Sequence, residues 1–383
     1  MDFALSGEHE QIRRTVRDFA ERELAPIADD MERRAEFPAE AIRRAAALGL
    51  LGVPYPESVG GTGLDSLAYA ITIEELARVW GSMAIIVSAH TSLGCGPLYL
   101  AGTPEQQQRF LRPLASGATL GAYGLTEPEA GSDSRGTRTR ARRDGESWVL
   151  DGTKRFITNA GVAGTYIVTA VTEASAETGR ISAFIVQAGT PGFSIGRMED
   201  KLGLHASRTG ELLLEGCRIP ADQLLGAEGE GDRLFLETLD GGRIGIGAMA
   251  LGLAQAAYEA ASAYAKERRQ FGRPIAAFQG VAFMIADMAT RIEAARLMVY
   301  RAAWLKDRGQ PYSTEAAMGK LFASEVARDV TNDALQVHGG YGYVTEYRVE
   351  RYLRDAKLTE IGEGTSQIQR LVIARNLLGI KAM

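Results

Sequence analysis

Near the carboxyl end the chain reads Ile361-Gly362-Glu363-Gly364-Thr365-Ser366-Gln367-Ile368-Gln369-Arg370, which sets one acid between two glycines just before an apolar run. Ser366 and Gln369 have the S-x-x-Q spacing of a capping box, and Ile368, Leu371 and Val372 supply the apolar face of a terminal helix. A carboxylate held at that point could be a general base. The helix amino terminus beyond it would favour a bound anion or a polar cofactor group. Spacing alone leaves a solvated loop acid as the alternative, the commoner state of a single glutamate.

Three further stretches have chemical potential. Tyr123-Gly-Leu125-Thr126-Glu-Pro-Glu-Ala-Gly131-Ser132-Asp133 offers hydroxyls and turn amides that could hold something polar or simply cap their own loop. Lys154-Arg155-Phe156-Ile157-Thr158-Asn159 is strand-like, with Phe156 and Thr158 on alternate positions where a ring and a hydroxyl could face a planar group. In Gln336-Val-His-Gly339-Gly340-Tyr-Gly-Tyr343 the paired glycines either let backbone approach a phosphate or end a helix. Rival chemistries lack their residues. There is no P-loop, no strand-bound GxGxxG, no GxSxG elbow and no HExxH among the scattered His9, His90, His205 and His338. Cys95 and Cys217 are too few for a disulfide framework or a zinc site, so no metal is expected.

The elements that must carry these residues fall into three textures along 383 residues. Up to about residue 115 the pattern is helical: Ile12, Val16, Phe19 and Leu24 recur at helical spacing, Pro26 breaks that run, and Thr103-Pro-Glu-Gln106 is a capping box. From about 120 to 230, short β-branched and aromatic runs alternate with Gly, Asp and Asn and predict an antiparallel β region. Long alanine-rich periodic segments at 243–266, 275–308 and 314–337 then predict an antiparallel helical bundle. The fold class is α+β, mainly α, with domains at 1–118, 119–230 and 231–383. No flexible linker separates them, which favours a site where β region and bundle meet. The 44 glycines, against roughly 27 at average usage, imply many turns and close backbone approaches.

Composition narrows the partners. Formal charge is −5 and basic residues are dispersed, which argues against nucleic acid. The amino terminus has no basic segment followed by an apolar one, and no run of 18 apolar residues occurs, so the expectation is a cytoplasmic protein without membrane insertion.

Taken together, YGLTEPEAGSD, KRFITNAG, ERRQFGRPIAAFQ, QVHGGYGY and GEGTSQIQR resemble the acyl-CoA dehydrogenase family, in order and over nearly the whole chain. The resemblance implies an amino-terminal helical domain, a middle β domain and a carboxy-terminal four-helix domain. It also implies FAD-dependent oxidation of an acyl-CoA to the trans-2-enoyl-CoA, with an electron-transferring flavoprotein as acceptor and a homotetramer, a dimer of dimers, as the assembly. Carried onto this chain, Glu363 is the base that takes the α-proton while the β-hydrogen leaves as hydride, and its backbone amide helps polarise the thioester carbonyl. Tyr123, Leu125, Thr126, Gly131, Ser132, Phe156, Ile157 and Thr158 would line the flavin, with Thr365 and Gln367 at the start of the last helix. Arg268, Gln270, Phe271, Gln279, Gln336, Gly339 and Gly340 would bind FAD across a subunit interface. Ser132, Asp240, Arg243 and Gly364 would hold the CoA or thioester part, whereas Asp240 and Arg243 by themselves read as a helix-start salt bridge.

Some positions depart from the family pattern. Gly362 stands where many straight-chain members have tyrosine, Phe156 where many have tryptophan, and Gly242 where some branched-chain members place the base. The alternatives within the same resemblance are a flavin acyl-thioester oxidase, an acyl-carrier-protein-specific dehydrogenase, and a catalytically silent homologue acting in binding or assembly.

Overall fold

The computed structural model describes residues 3–173 and 180–380. Helix α1 (Gly7–Phe19) starts where the Ser6 hydroxyl accepts the His9 amide. The break expected at Pro26 does not occur. A π-helical turn over Ala20–Leu24 runs straight into α2 (Ala25–Arg34), with Pro26 in its first turn. The wider π register before it, closed by the Ala25 amide on the Ala20 carbonyl, lets the helix pass the proline. Next come α3 (Ala39–Ala47), α4 (Ser66–Val79) and α5 (Gly81–Ser88), which passes through a second π-helical segment, Ala89–Cys95, into α6 (Gly96–Ala101).

Short α7 (Pro104–Gln106) has the expected capping box, with Thr103 Oγ1 accepting the Gln106 amide at 3.2 Å and Gln106 Oε1 accepting the Thr103 amide at 3.0 Å. Gln106 Nε2 also donates to the carbonyls of Asp222 and Leu224 at 2.7 and 2.8 Å, so this cap ties the helices to the β region. Helix α8 (Arg112–Ala115) leads into the sheet.

The strands are β1 (Leu120–Gly124), β2 (Arg140–Asp144), β3 (Ser147–Thr158), β4 (Ala163–Glu173), β5 (Arg180–Gln187), β6 (Phe193–Met198), β7 (Thr209–Pro220) and β8 (Leu224–Leu225). Their order is β6-β7-β3-β2-β4-β5-β8, with β1 beside β4. The sheet is mixed rather than antiparallel: β1 runs parallel to β4, and β2 meets β4 in parallel at Arg140 and Val171. A parallel neighbour needs a crossover, which the β2–β3 hairpin provides. Local turn residues do not encode that return. Two buried polar side chains lock β1 against the helices. His90 Nδ1 accepts the Gly121 amide at 2.9 Å, and Asn159 Nδ2 donates to the carbonyls of Ile86 and Gly121, both at 3.2 Å.

The remaining helices are α9 (Gly231–Glu267), α10 (Gln279–Asp307), α11 (Ser313–His338), α12 (Val349–Thr359) and α13 (Ser366–Leu378). Helix α9 begins twelve residues before the segment expected from residue 243, because its first turns cover the β region as well as the bundle. At Gly252 a Cβ would lie 2.2 Å from the Glu74 carbonyl oxygen, so α4 and α9 touch backbone to backbone only because that side chain is absent. One apolar cluster joins all three textures, from Ile73 through Leu150 and Phe184 to Leu251 and Val326. Two helical stretches, Gly81–Ala101 and Gly231–Glu267, are long and apolar enough to cross a membrane by length and composition, and each is 78% buried inside the molecule.

Candidate active site

Glu363 sits in the turn between α12 and α13. The Gly362 amide donates to the Leu358 carbonyl at 2.8 Å, and the Ser366 amide donates to the Glu360 carbonyl at 2.9 Å. Between those bonds the backbone goes left-handed, with φ 54° at Glu363 and 93° at Gly364. A non-glycine residue at positive φ is strained and persists only when its surroundings over-determine it. Here they do. Gln369 Nε2 donates to the carbonyls of Glu363 and Gly364 at 3.2 and 2.8 Å, and Lys320 Nζ donates to Gly364 O at 2.5 Å.

The capping expectation is therefore corrected by one residue. Thr365 is the N-cap, its hydroxyl accepting the Ile368 amide at 3.3 Å, while Ser366 is the first helical residue and Gln369 serves the turn. The left-handed pair delays the first helical residue, which spacing cannot show.

Glu363 Oε2 is buried without a hydrogen-bond partner among the described residues. Burial pushes this carboxyl up to about 7, with Lys320 and Arg243 pulling it back. A Cβ at Gly242 of α9 would lie 1.8 Å from Oε2. Only glycine leaves room for the acid.

The carboxyl faces a cavity of about 900 Å³ at the junction of helices, sheet and bundle. Tyr123, Leu125 and Thr126 line it from β1 and the following loop, with Gly131 and Ser132 further along. Phe156, Ile157 and Thr158 line it from β3. The β3–β7 register shifts between Lys154 and Ile157, and at that irregularity Phe156 has φ 60° and is 57% exposed. Such a bulge re-aims a side chain. Behind it Lys154 is fully buried, donating to Glu127 Oε1 at 2.7 Å and to Leu125 O and Thr169 Oγ1, both at 3.2 Å. Burial lowers Lys154 to about 8. Burial would raise Glu127, but Lys154 and the hydrogen bonds from Thr139 and Arg138 hold it below the usual range.

Asp240, Arg243, Gly364 and Thr365 complete the cavity side that faces the bundle. Asp240 and Arg243 are ion-paired, but in mid-helix rather than at a helix start, and Ser313 Oγ donates to Asp240 at 2.9 Å. Burial raises Asp240 and lowers Arg243. Gly362 also lines the cavity, and a Cβ there would make only ordinary contact with Leu358 at 3.5–3.7 Å, so the missing side chain is open space.

Apolar wall residues, among them Ile85, Ala89, Leu93, Leu236 and Leu239, were not legible in the sequence, and neither was Lys320. The first five carry no polar signal, and Lys320 looks like any helix lysine until its burial is seen.

Arg268, Gln270, Gly339 and Gly340 lie elsewhere, around a second depression of about 760 Å³ with Tyr264, His338, Tyr341 and Tyr347. The Arg268 guanidinium lies 5.3 Å from the Tyr341 ring centre, and His338 stacks on Tyr264 at 4.3 Å. Phe271 is 92% exposed, while Gln279, Gln336 and Gln367 are exposed and line neither cavity. Within one chain these residues do not join the Glu363 site.

The main cavity suits a large group with both polar and aromatic surface. Tyr123 Oη, Ser207 Oγ and Ser366 Oγ are buried without partners among the described residues, at or beside it, and the Phe156 ring is exposed in its wall.

A helical domain, a mixed β sheet and a helical bundle that converge on a glutamate whose Oε2 is buried without a partner among the described residues define the class, and the chain belongs to the acyl-CoA dehydrogenase family. Residues 6–118, 122–217 and 229–378 match the N-terminal, middle and C-terminal domains of acyl-CoA dehydrogenase, respectively. The chain is 53% identical to the probable acyl-CoA dehydrogenase YngJ of Bacillus subtilis, over 99% of this chain and 100% of that one. It is 50% identical to the short-chain specific acyl-CoA dehydrogenase of Clostridium acetobutylicum, over 98% of this chain and 99% of that one. Among solved structures, butyryl-CoA dehydrogenase from Megasphaera elsdenii superposes with a TM-score of 0.96 at 44% identity, covering 99% of this chain and 100% of that one.

Proposed function

We propose that the protein is an FAD-dependent acyl-CoA dehydrogenase that converts a short-chain acyl-CoA to the trans-2-enoyl-CoA, with Glu363 as the base. The observation that carries this is Glu363 Oε2, buried and without a hydrogen-bond partner among the described residues, at the wall of the 900 Å³ cavity. Tyr123, Leu125, Thr126, Gly131, Ser132 and Phe156 to Thr158 would hold FAD there, which would supply the hydride acceptor for the β-hydrogen.

The chain's own residues do the rest. Glu363 takes the α-proton on a carboxylate oxygen; a pKa near 7 leaves it ionised in a useful fraction yet basic enough to accept it. We assign its backbone N–H as a donor to the thioester oxygen, where negative charge grows as the α-proton leaves. Phe156 and Thr158, with Tyr123 to Ser132, form the wall against the flavin ring, and Thr365 and the start of α13 present a helix amino terminus to the cofactor. Asp240 and Arg243 orient the CoA part. Ile85, Ala89 and Leu93 exclude water from the acyl end. The short-chain reading follows the names of the Clostridium and Megasphaera relatives.

We further assign Arg268, Gln270, Phe271, Gln279, Gln336, Gly339 and Gly340 to the FAD of a neighbouring subunit in a cytoplasmic homotetramer, with Gln367 on the cofactor near its own Glu363. An electron-transferring flavoprotein would be the electron acceptor. The three domains are 1–118, 119–230 and 231–383.

The test is an anaerobic absorbance titration of the FAD-loaded protein with butyryl-, octanoyl-, isobutyryl- and glutaryl-CoA. Bleaching of the flavin band, strongest with butyryl-CoA, is expected. In Glu363→Gln, FAD stays bound and reduction slows by roughly 10³-fold or more. Flavin that no acyl-CoA bleaches, or a Glu363→Gln variant reduced at the wild-type rate, would overturn the assignment. Fast reoxidation by air would instead identify a thioester oxidase.

A further inference from the structure

We propose that Lys320 is a positioning residue for the reacting carboxylate: from α11 it clamps the Gly364 carbonyl, holds the left-handed turn that presents Glu363, and lends its charge to that acid. The inference rests on reading Glu363 as the base.

Two buried lysines make the contrast. Lys154 is fully buried and is paired with Glu127 at 2.7 Å, the ordinary way to bury an ammonium. Lys320 is only 1% exposed, yet it makes no ion pair among the described residues. Its Nζ donates at 2.5 Å to Gly364 O, one residue past Glu363. A buried cation without a contacting anion is costly unless something nearby uses its field. Beside it, Glu363 Oε2 is a buried acid without a donor. Each lacks what the other supplies. Lys320 lowers the pKa of Glu363, and Glu363 raises that of Lys320 against a burial penalty that leaves the lysine at about 8.

The other groups around the acid are committed elsewhere. Arg243, from α9, is ion-paired with Asp240. The Tyr69 hydroxyl, from α4, bonds Ser88 Oγ at 3.0 Å. Glu360, at the end of α12, is held by Lys357 at 2.7 Å and Arg328 at 3.1 Å. Gln369 Nε2 shares the Gly364 carbonyl with Lys320 but has no charge. Among the described residues, Lys320 alone both grips the turn and brings an unpaired positive charge to it.

The experiment compares wild type, Lys320→Met and Lys320→Arg as FAD-loaded enzymes. It follows FAD content, the pH dependence of anaerobic flavin reduction by butyryl-CoA, and the half-saturating substrate concentration. Lys320→Met should keep FAD and move the governing pKa upward by about one unit, slowing reduction roughly tenfold near neutral pH, with half-saturation changed less than about threefold. Lys320→Arg, which keeps the charge, should restore most of the profile. An independent reading is the Glu363 carboxyl stretch in the FAD-free protein, assigned by difference against Glu363→Gln, whose titration should shift the same way.

A Lys320→Met variant with wild-type rate and profile would overturn the proposal. So would equal losses of melting temperature in both variants with the pH profile unmoved, the signature of a purely structural lysine. If Lys320→Met does not fold, Lys320→Gln with Lys320→Arg makes the same comparison. Should wild type fail to react with any acyl-CoA, the base assignment falls, while the infrared titration still decides whether Lys320 sets this carboxyl.

Discussion

Glu363 combines two costs that a residue chosen for stability would avoid, a left-handed backbone and a carboxylate oxygen, Oε2, buried without a partner among the described residues. Burial raises this carboxyl from 4.5 to about 7. Its protonated form is favoured by folding, so the stability it contributes is fully present below the ordinary carboxyl range and is lost as pH rises through about 7. Glu363→Gln should therefore melt higher than wild type at about pH 8, by at most about 3 kcal/mol, and the difference should vanish near pH 4 to 5. Thermal unfolding scanned against pH checks this, and a variant less stable than wild type at high pH would contradict it. Gly242 is the steric partner of the same acid. With a Cβ only 1.8 Å from Oε2, Gly242→Ala must displace the carboxylate, and flavin reduction should fall at least about a hundredfold while FAD content stays normal. Stopped-flow absorbance reads both quantities.

Among the elements, β3 has the largest positioning role. Its bulge exposes Phe156 to the cavity, and the buried Lys154 next to it ties that strand to the loop through Leu125 O and Glu127. Lys154→Met removes the cation and leaves the Glu127 carboxylate buried, so destabilisation of roughly 3 kcal/mol and weaker FAD retention are expected. Adding Glu127→Gln should recover part of the loss, because the two residues form one unit. Denaturant titrations of the four proteins of this cycle would show it, and additive losses would mean that the pair is not coupled. The last helix teaches the same lesson about local geometry. The S-x-x-Q pattern at Ser366 and Gln369 was legible, but the cap is Thr365, since two left-handed residues upstream decide where helical dihedrals begin.

At the scale of the molecule, the residues assigned to FAD are scattered within one chain: some line the Glu363 cavity, Arg268, Gln270, Gly339 and Gly340 line a second, and Phe271, Gln279, Gln336 and Gln367 line neither. In the proposed homotetramer, a second copy would bring the two sets together. Arg268→Ala is expected to weaken FAD retention by roughly tenfold, the loss of one charge-assisted contact, with little effect on FAD-free folding. Equilibrium dialysis alongside sedimentation would also show whether dilution to smaller assemblies releases FAD. Unchanged affinity in Arg268→Ala would remove the cross-subunit assignment.

The order helices, sheet, bundle was legible from periodicity, because amphipathic spacing and turn residues are local properties. Glycine and hydroxyl punctuation also singled out the stretches of Tyr123, Phe156 and Glu363, which the fold brings to one cavity, whereas that of Gly339 lies at another. Tertiary structure alone decided the parallel pairing of β1 with β4, which depends on a crossover, and the continuation of the chain through Pro26, which depends on a π turn. It also decided what surrounds the acid. Gly242, Lys320 and Glu363 lie on three different segments, and the clearance, charge and burial that make the carboxyl a candidate base arise only where those segments meet.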